Sequence, residues 1–212
     1  MTNSDSQQST RQDSGQPVRW PFYGLVVAAA VVLFVIDLGA GISDEGLQLF
    51  TRHTARLAFA VFLPVFVISS VASLTHWPAA RALARQRRHL GLSFALAHFI
   101  HLGALVSFFV LTPEVAEPIA IVGGGFGYLL LAALVITSTD AMMRRLGRNW
   151  KRLHTFGVYY LWFIFTQSYA GRVFADDPDA RVASSPGFVY VGLLSLAVLV
   201  LVLRLGRRWV TR

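Results

Sequence analysis

The chain has 212 residues, 55% of them hydrophobic and 14% charged, and a formal net charge of +8. A soluble domain carries roughly 25% charged residues and alternates apolar with polar faces, so this composition excludes an ordinary soluble fold. It contains no cysteine, which excludes disulfides, thiol catalysis, zinc thiolate sites and iron–sulfur clusters.

Residues 1–19 are rich in Ser, Gln, Thr and Asp and have no apolar core. They read as a disordered cytoplasmic tail and not as a signal peptide, so the first membrane helix serves as the insertion signal. The apolar residues then fall in blocks of about 20, the length that spans roughly 30 Å of hydrocarbon. They predict six helices at about 20–40, 55–75, 89–111, 119–138, 150–170 and 187–205. The expected fold class is all-α: a six-helix transmembrane bundle forming one domain over 20–212. Trp77-Pro78, Thr112-Pro113, Asp177-Pro178 and Pro186-Gly187 punctuate helix ends. Pro64 lies inside the second helix and predicts a kink unless neighbours satisfy the freed carbonyl.

Of the 19 Lys and Arg residues, 15 fall on one side of these spans. The other side holds Arg52, Arg56, Arg172 and Arg181, together with most of the acidic residues, from Asp37 to Asp179. This asymmetry predicts that both termini are cytoplasmic and that the protein is a multi-pass protein of the cell (inner) membrane. The net charge is thereby explained by orientation, and no nucleic-acid partner is expected; the expected surroundings are a lipid bilayer.

The fourth helix carries Gly123, Gly124, Gly125 and Gly127. Two readings stay open: a small-residue surface that admits another helix, or room for a flat cofactor.

An ionisable residue in a membrane helix is costly and asks for a reason. Apart from Asp37 near a helix end, only histidines qualify: His98 and His101 on the third helix and His154 early in the fifth. His98 and His101 are three apart and share a face. Histidines on facing helices suit a six-coordinate b-type haem, one imidazole nitrogen from each side. A zinc site wants further ligands that these spans lack. The rival reading is a haem-free multi-pass membrane protein, such as a small transporter or an assembly factor. Its histidines would serve only as interhelical hydrogen-bond partners. His53, His76 and His89 read as interface residues. Trp20, Trp77, Trp150, Tyr159 and Tyr160 read as aromatic-belt or packing residues.

The third helix opens Arg87-Arg88-His89-Leu90-Gly91-Leu92 and continues to His98 and His101. The fourth-to-fifth connection carries Ile136-Thr137-Ser138, Arg144-Arg145-Leu146-Gly147, Trp150 and Leu153-His154. These segments resemble the ferric reductase-like transmembrane family. Its relatives include the haem-binding membrane subunit of the bacterial methionine sulfoxide reductase system, metalloreductases and NADPH oxidases. The resemblance covers the whole bundle in topology and is sharpest over about 85–170. It implies one or two b haems that carry electrons through the bilayer. It matches His101 to the third-helix ligand and His154 to the first fifth-helix ligand, making these two the iron-binding candidates. Where some relatives have a second fifth-helix histidine, 13 residues on, this chain has Gln167, so one haem b is expected.

Depth favours a different pairing. At 1.5 Å per residue, His154 lies about 13–14 Å past Arg145, His98 about 15 Å past Arg88, and His101 about 20 Å past Arg88. Both His98 and His101 therefore stand as candidates for the third-helix ligand. No dinucleotide fingerprint is present, and the few residues after the sixth helix leave no space for a flavin or nicotinamide domain. Electrons are expected from a separate flavin reductase or from a quinol. The implied role is an electron carrier or oxidoreductase subunit with no catalytic residue of its own.

Overall fold

The computed structural model describes residues 20–75, 77–174 and 187–210. The predicted tail, His76, Arg181 and the Asp177-Pro178 boundary lie outside the described residues.

The described residues form helices and no strand. In chain order these are α1 (Trp20–Leu38), α2 (Asp44–Leu74), α3 (Pro78–Arg85), α4 (Arg87–Leu111), α5 (Pro118–Ile136), α6 (Asp140–Leu146), α7 (Arg148–Val173) and α8 (Gly187–Val210). Four of them, α2, α4, α5 and α8, are long and apolar enough to cross a membrane. The apolar stretch of α1, Phe22–Leu38, is shorter, and the 26-residue α7 carries more polar residues.

Three boundaries differ from the sequence expectation, each for a local reason. α2 begins eleven residues earlier than hydropathy indicates. Its first turns, from Asp44 to Thr54, are polar, but Ser43 caps them by accepting from the Gly46 amide at 3.1 Å. Asp44 and Glu45 then face the positive end of the helix dipole. The connections after α2 and α5 are themselves helical. α3 starts with Pro78 in its first turn, and α6 starts with the Thr139 hydroxyl accepting from the Met142 amide. Gly147, at φ +51°, turns the chain from α6 into α7 in a conformation that favours glycine. α2 runs through Pro64 without interruption.

α2 is the central helix. It packs most extensively on α4 and also meets α1, α3, α7 and α8. The core is an aromatic column: Phe59, Phe62 and Phe66 of α2 against Phe94 of α4 and Phe165 and Tyr169 of α7. In lipid no hydrophobic force distinguishes helix contacts from acyl contacts, so interlocking rings and interhelical hydrogen bonds carry the association. Trp162 donates to the Ala197 carbonyl at 2.8 Å and joins α7 to α8. Outward-facing Leu25, Val31, Val35, Ile121, Leu129 and Leu199 are exposed. That much contiguous apolar surface suits acyl chains and not water.

The glycines of α5 admit α7. Tyr160 donates to the Gly123 carbonyl at 2.9 Å, and a Cβ on Gly127 would sit 3.5 Å from the Tyr160 ring. The helix-approach reading of that cluster therefore holds at Gly123 and Gly127.

Candidate functional site

The three candidate histidines occupy two separate environments. His98 and His101, on successive turns of α4, place their ring centroids 5.7 Å apart. They diverge from there. His98 is buried and stacks on Tyr128 of α5 at 4.7 Å, with Phe94 and Phe165 each 5.4 Å away. Its Nδ1 is buried without a hydrogen-bond partner among the described residues. An unsatisfied buried nitrogen is unusual enough to ask for an explanation. His101 turns toward α2, where its Nδ1 lies 3.2 Å from Oγ1 of Thr54, a fully buried residue.

His154 lies on α7 against the C-terminal end of α5. Its ring stacks on Trp150, one turn earlier, with centroids 4.2 Å apart. Its Nε2 lies 3.1 Å from Thr137 Oγ1, and Trp150 Nε1 donates to the Thr137 carbonyl at 2.8 Å. The two segments that stood out in the sequence, Ile136-Thr137-Ser138 and Trp150 to His154, are thus in contact.

A cavity of about 710 Å³ opens between α2, α4, α5, α7 and α8. That volume falls within the roughly 300–1,000 Å³ typical of cofactor sites. Phe62, Phe94, Leu131 and Leu161 give it an apolar floor, and His154 stands in its wall. Arg85, Arg87, Arg88, Lys151 and Arg204 make its rim cationic. Arg88 is also paired with Asp140 at 3.0 Å. Arg204 reaches in from α8, over the rings of Phe66 and Tyr159, and donates to the Phe66 carbonyl. His98 and His101 do not line this cavity; Phe94, one turn before His98, does. Among the described residues no group of three or more His, Asp or Glu side chains gathers around a common point.

The chemistry of this arrangement fits a haem in part. An apolar slot suits a macrocycle, a cationic rim suits two carboxylates, and an imidazole in the wall suits an axial position. The partnerless nitrogen of His98 is a further donor one turn beyond the floor.

The structure gives four further residues partners that the sequence did not assign. Asp37 at the end of α1 is nearly fully buried and accepts from His53 Nδ1 at 2.8 and 3.1 Å, which ties α1 to α2. His89 pairs with Tyr23 across α4 and α1 at 3.2 Å. Thr54 and Thr137 hold the histidine rings. Of the two threonines only Thr137 carried a sequence signal, since it lies inside the segment singled out before Arg144. Gln167 is exposed, while its neighbours Phe165 and Tyr169 are buried. Its position therefore does not face the bundle interior.

Taken together, the fold and its buried histidines define an all-helical membrane protein with a cofactor-sized cavity on one side of the bundle. Two curated proteins resemble the chain. Over 163 residues the chain is 29% identical to the protein-methionine-sulfoxide reductase heme-binding subunit MsrQ of Cronobacter sakazakii, covering 70% of this chain and 74% of that protein. Over 129 residues it is 32% identical to the protein of the same name from Klebsiella pneumoniae subsp. pneumoniae, covering 53% of this chain and 62% of that protein. The chain is thus similar to two heme-binding subunits of that name. Its four long apolar helices fit a multi-pass membrane protein. No family model and no solved structure matches it.

Proposed function

We propose that this chain is a b-type haem electron-transfer subunit of a membrane reductase system, crossing the bilayer six times with both termini cytoplasmic. The observation that carries the reading is the cavity between α2, α4, α5 and α7, with His154 in its wall and five cations at its rim. The names of the two MsrQ relatives support it. The absence of cysteine favours a non-covalently held haem, hence the b type. His154 would hold the iron from the cavity wall, and Arg87, Arg88, Lys151 and Arg204 would neutralise the propionates; His98 and His101, the third-helix candidates, stand outside the cavity lining, so a second histidine ligand would require α4 to shift. When bound, the group supplies one-electron chemistry at a potential set by its ligands and surroundings. The protein's own part is to hold the imidazoles, exclude water with the phenylalanine floor and offer positive charge at the inner rim.

The electron donor in this reading is a separate flavin reductase or a quinol, and one haem is bound per chain. The positive-inside asymmetry supports the six-span topology, with α1 and α7 as the two remaining spans. The test is a spectrum of the purified protein. The expected result is a red preparation whose Soret band sharpens and shifts on adding dithionite. A folded, colourless protein that takes up no added haemin overturns the reading in favour of a haem-free membrane protein.

A further inference from the structure

Trp150 makes two contacts at once. Its indole stacks on His154 one turn later, with ring centroids 4.2 Å apart and planes 28° from parallel. Residues four apart on a helix share a face, so the backbone of α7 brings the two rings together. Its Nε1 donates to the Thr137 carbonyl at 2.8 Å. Thr137 is the C-cap of α5, and a helix end leaves its last carbonyls without intrahelical partners. One indole therefore closes the end of α5 and covers a face of the imidazole. Thr137 Oγ1 meets the edge of the same ring, 3.1 Å from Nε2. An edge contact restrains rotation within the ring plane; a stacked ring restrains the tilt of that plane. Trp150, His154 and Leu134 all line the cavity. The helices are close there: a Cβ on Gly157, in the turn after His154, would lie 2.8 Å from a Leu134 methyl.

We infer that Trp150 is the positioning residue of His154: its ring holds the imidazole plane in the cavity wall, and its N–H holds that ring on α5. The inference deepens the proposed function and rests on it for the group that His154 would bind. It replaces the aromatic-belt reading of Trp150. A belt indole turns its N–H toward the wet interface, whereas this N–H is given to a backbone carbonyl of the neighbouring helix. A side chain already held in its binding orientation loses less freedom on binding, so losing the stack weakens the complex.

Trp150→Phe keeps a stacking ring and removes the N–H; Trp150→Leu removes the ring. The stack is read in haem-free protein, from the upfield ring-current shift of the carbon-bound His154 ring protons, assigned by their loss in His154→Gln. The shift is expected in wild-type and Trp150→Phe protein and absent from Trp150→Leu. Haemin titration should show binding weaker by about 2–10-fold in Trp150→Leu, the worth of one aromatic pair as a ratio of equilibrium constants. Trp150→Phe should stay within about twofold of wild type. Haemin affinity unchanged in Trp150→Leu, or lowered equally in both variants, would show that Trp150 only packs α5 on α7 and overturns the inference. So does a wild-type His154 ring without the upfield shift. If Trp150→Leu fails to fold, wild-type and Trp150→Phe protein decide: shift and affinity both kept in Trp150→Phe uphold the inference, and loss of either overturns it. Wild-type protein with the shifted ring but no haemin uptake overturns the proposed function and upholds the stack of Trp150 on His154.

Discussion

The Thr137 hydroxyl and the His154 ring join α5 to α7, with Oγ1 and Nε2 3.1 Å apart. Thr137 Oγ1 gives its own hydrogen to the Ala133 carbonyl at 2.7 Å, which leaves the ring as the donor of this contact. Thr137 thereby occupies Nε2 of His154 and leaves Nδ1 open.

Removing the Thr137 hydroxyl should therefore raise haemin affinity. For His154 to give Nε2 to an iron, the Thr137 contact must be broken, at the cost of one neutral hydrogen bond, about 0.5–1.5 kcal/mol. Thr137→Val removes that competitor. Haemin affinity should rise by about 2–10-fold, which is that free energy as a ratio of equilibrium constants. Haemin titrations of wild-type and Thr137→Val protein check this, and a drop in affinity would show that Thr137 supports haem binding.

Removing the imidazoles themselves should separate the three positions. His154→Ala should abolish haem binding while leaving membrane insertion intact, because α7 has no other histidine. His101→Ala and His98→Ala should differ, one losing the six-coordinate low-spin spectrum and the other only perturbing it. Difference spectra of the three variants, at matched expression, are the measurement. Haem retained at wild-type stoichiometry in His154→Ala would remove that residue from the ligand set.

Much of this protein could be read before its structure. Long apolar blocks gave the major helices, because each must satisfy its own backbone in lipid and so declares itself as a run of apolar residues. The polar start of α2 was harder. Ser43 to Thr54 is helical because of a cap and an acidic first turn, which hydropathy does not register. α3 and α6 are too short to leave a periodic signal. The site divided the same way. His98, His101 and His154 stand out as polar residues in apolar helices. Thr54 looks like any mildly polar residue in a helix, and only the spatial meeting of α2 with α4 gives its hydroxyl a role. Gln167 shows the converse. Spacing along α7 singled it out, yet it turns outward, because a count of residues says nothing about which face a neighbouring helix covers.

Close packing of α7 on α5 makes Gly157 a sensitive position. A Cβ there would lie 2.8 Å from one methyl of Leu134, 3.0 Å from the other and 3.1 Å from its Cγ. The whole branched end of Leu134 is in the way, so rotation of one methyl gives no relief. Gly157→Ala should destabilise the bundle by about 1–3 kcal/mol, the usual cost of overpacking. Leu134→Ala alone should also destabilise, through the cavity it leaves. Because the two changes share one space, the double variant should cost less than the two single costs added together. Unfolding in mixed micelles gives all four corners of this cycle, and strict additivity would show that α5 and α7 move apart freely.

The chain has no cysteine, so single introduced thiols report topology without background. Gln86→Cys, between α3 and α4, should be labelled by an impermeant maleimide only after the membrane is opened from the cytoplasmic side. Val115→Cys, exposed between α4 and α5, should be labelled on intact spheroplasts. The reversed pattern would contradict the cytoplasmic placement of the termini that the arginine asymmetry supports.

Haem number follows from how the histidines are spaced. Stacking an inner and an outer haem between two helices calls for two ligands on each, about 13–14 residues and close to 20 Å apart. On α7 the residue 13 past His154 is Gln167; on α4 the residue 14 past His98 is Thr112, and 14 past His101 lies Val115, beyond the helix. None is a histidine. His98 and His101 cannot divide the work between two irons on one side of the helix, because their rings are 5.7 Å apart and two macrocycles would collide. One haem per chain is expected, by pyridine haemochrome against protein concentration. Gln167→His should leave that ratio at one, because the side chain is exposed and points away from buried Phe165 and Tyr169. A ratio near two in the wild-type protein would mean that a residue other than histidine serves as a ligand. A rise from one to two in Gln167→His alone would mean that α7 rotates when haem binds.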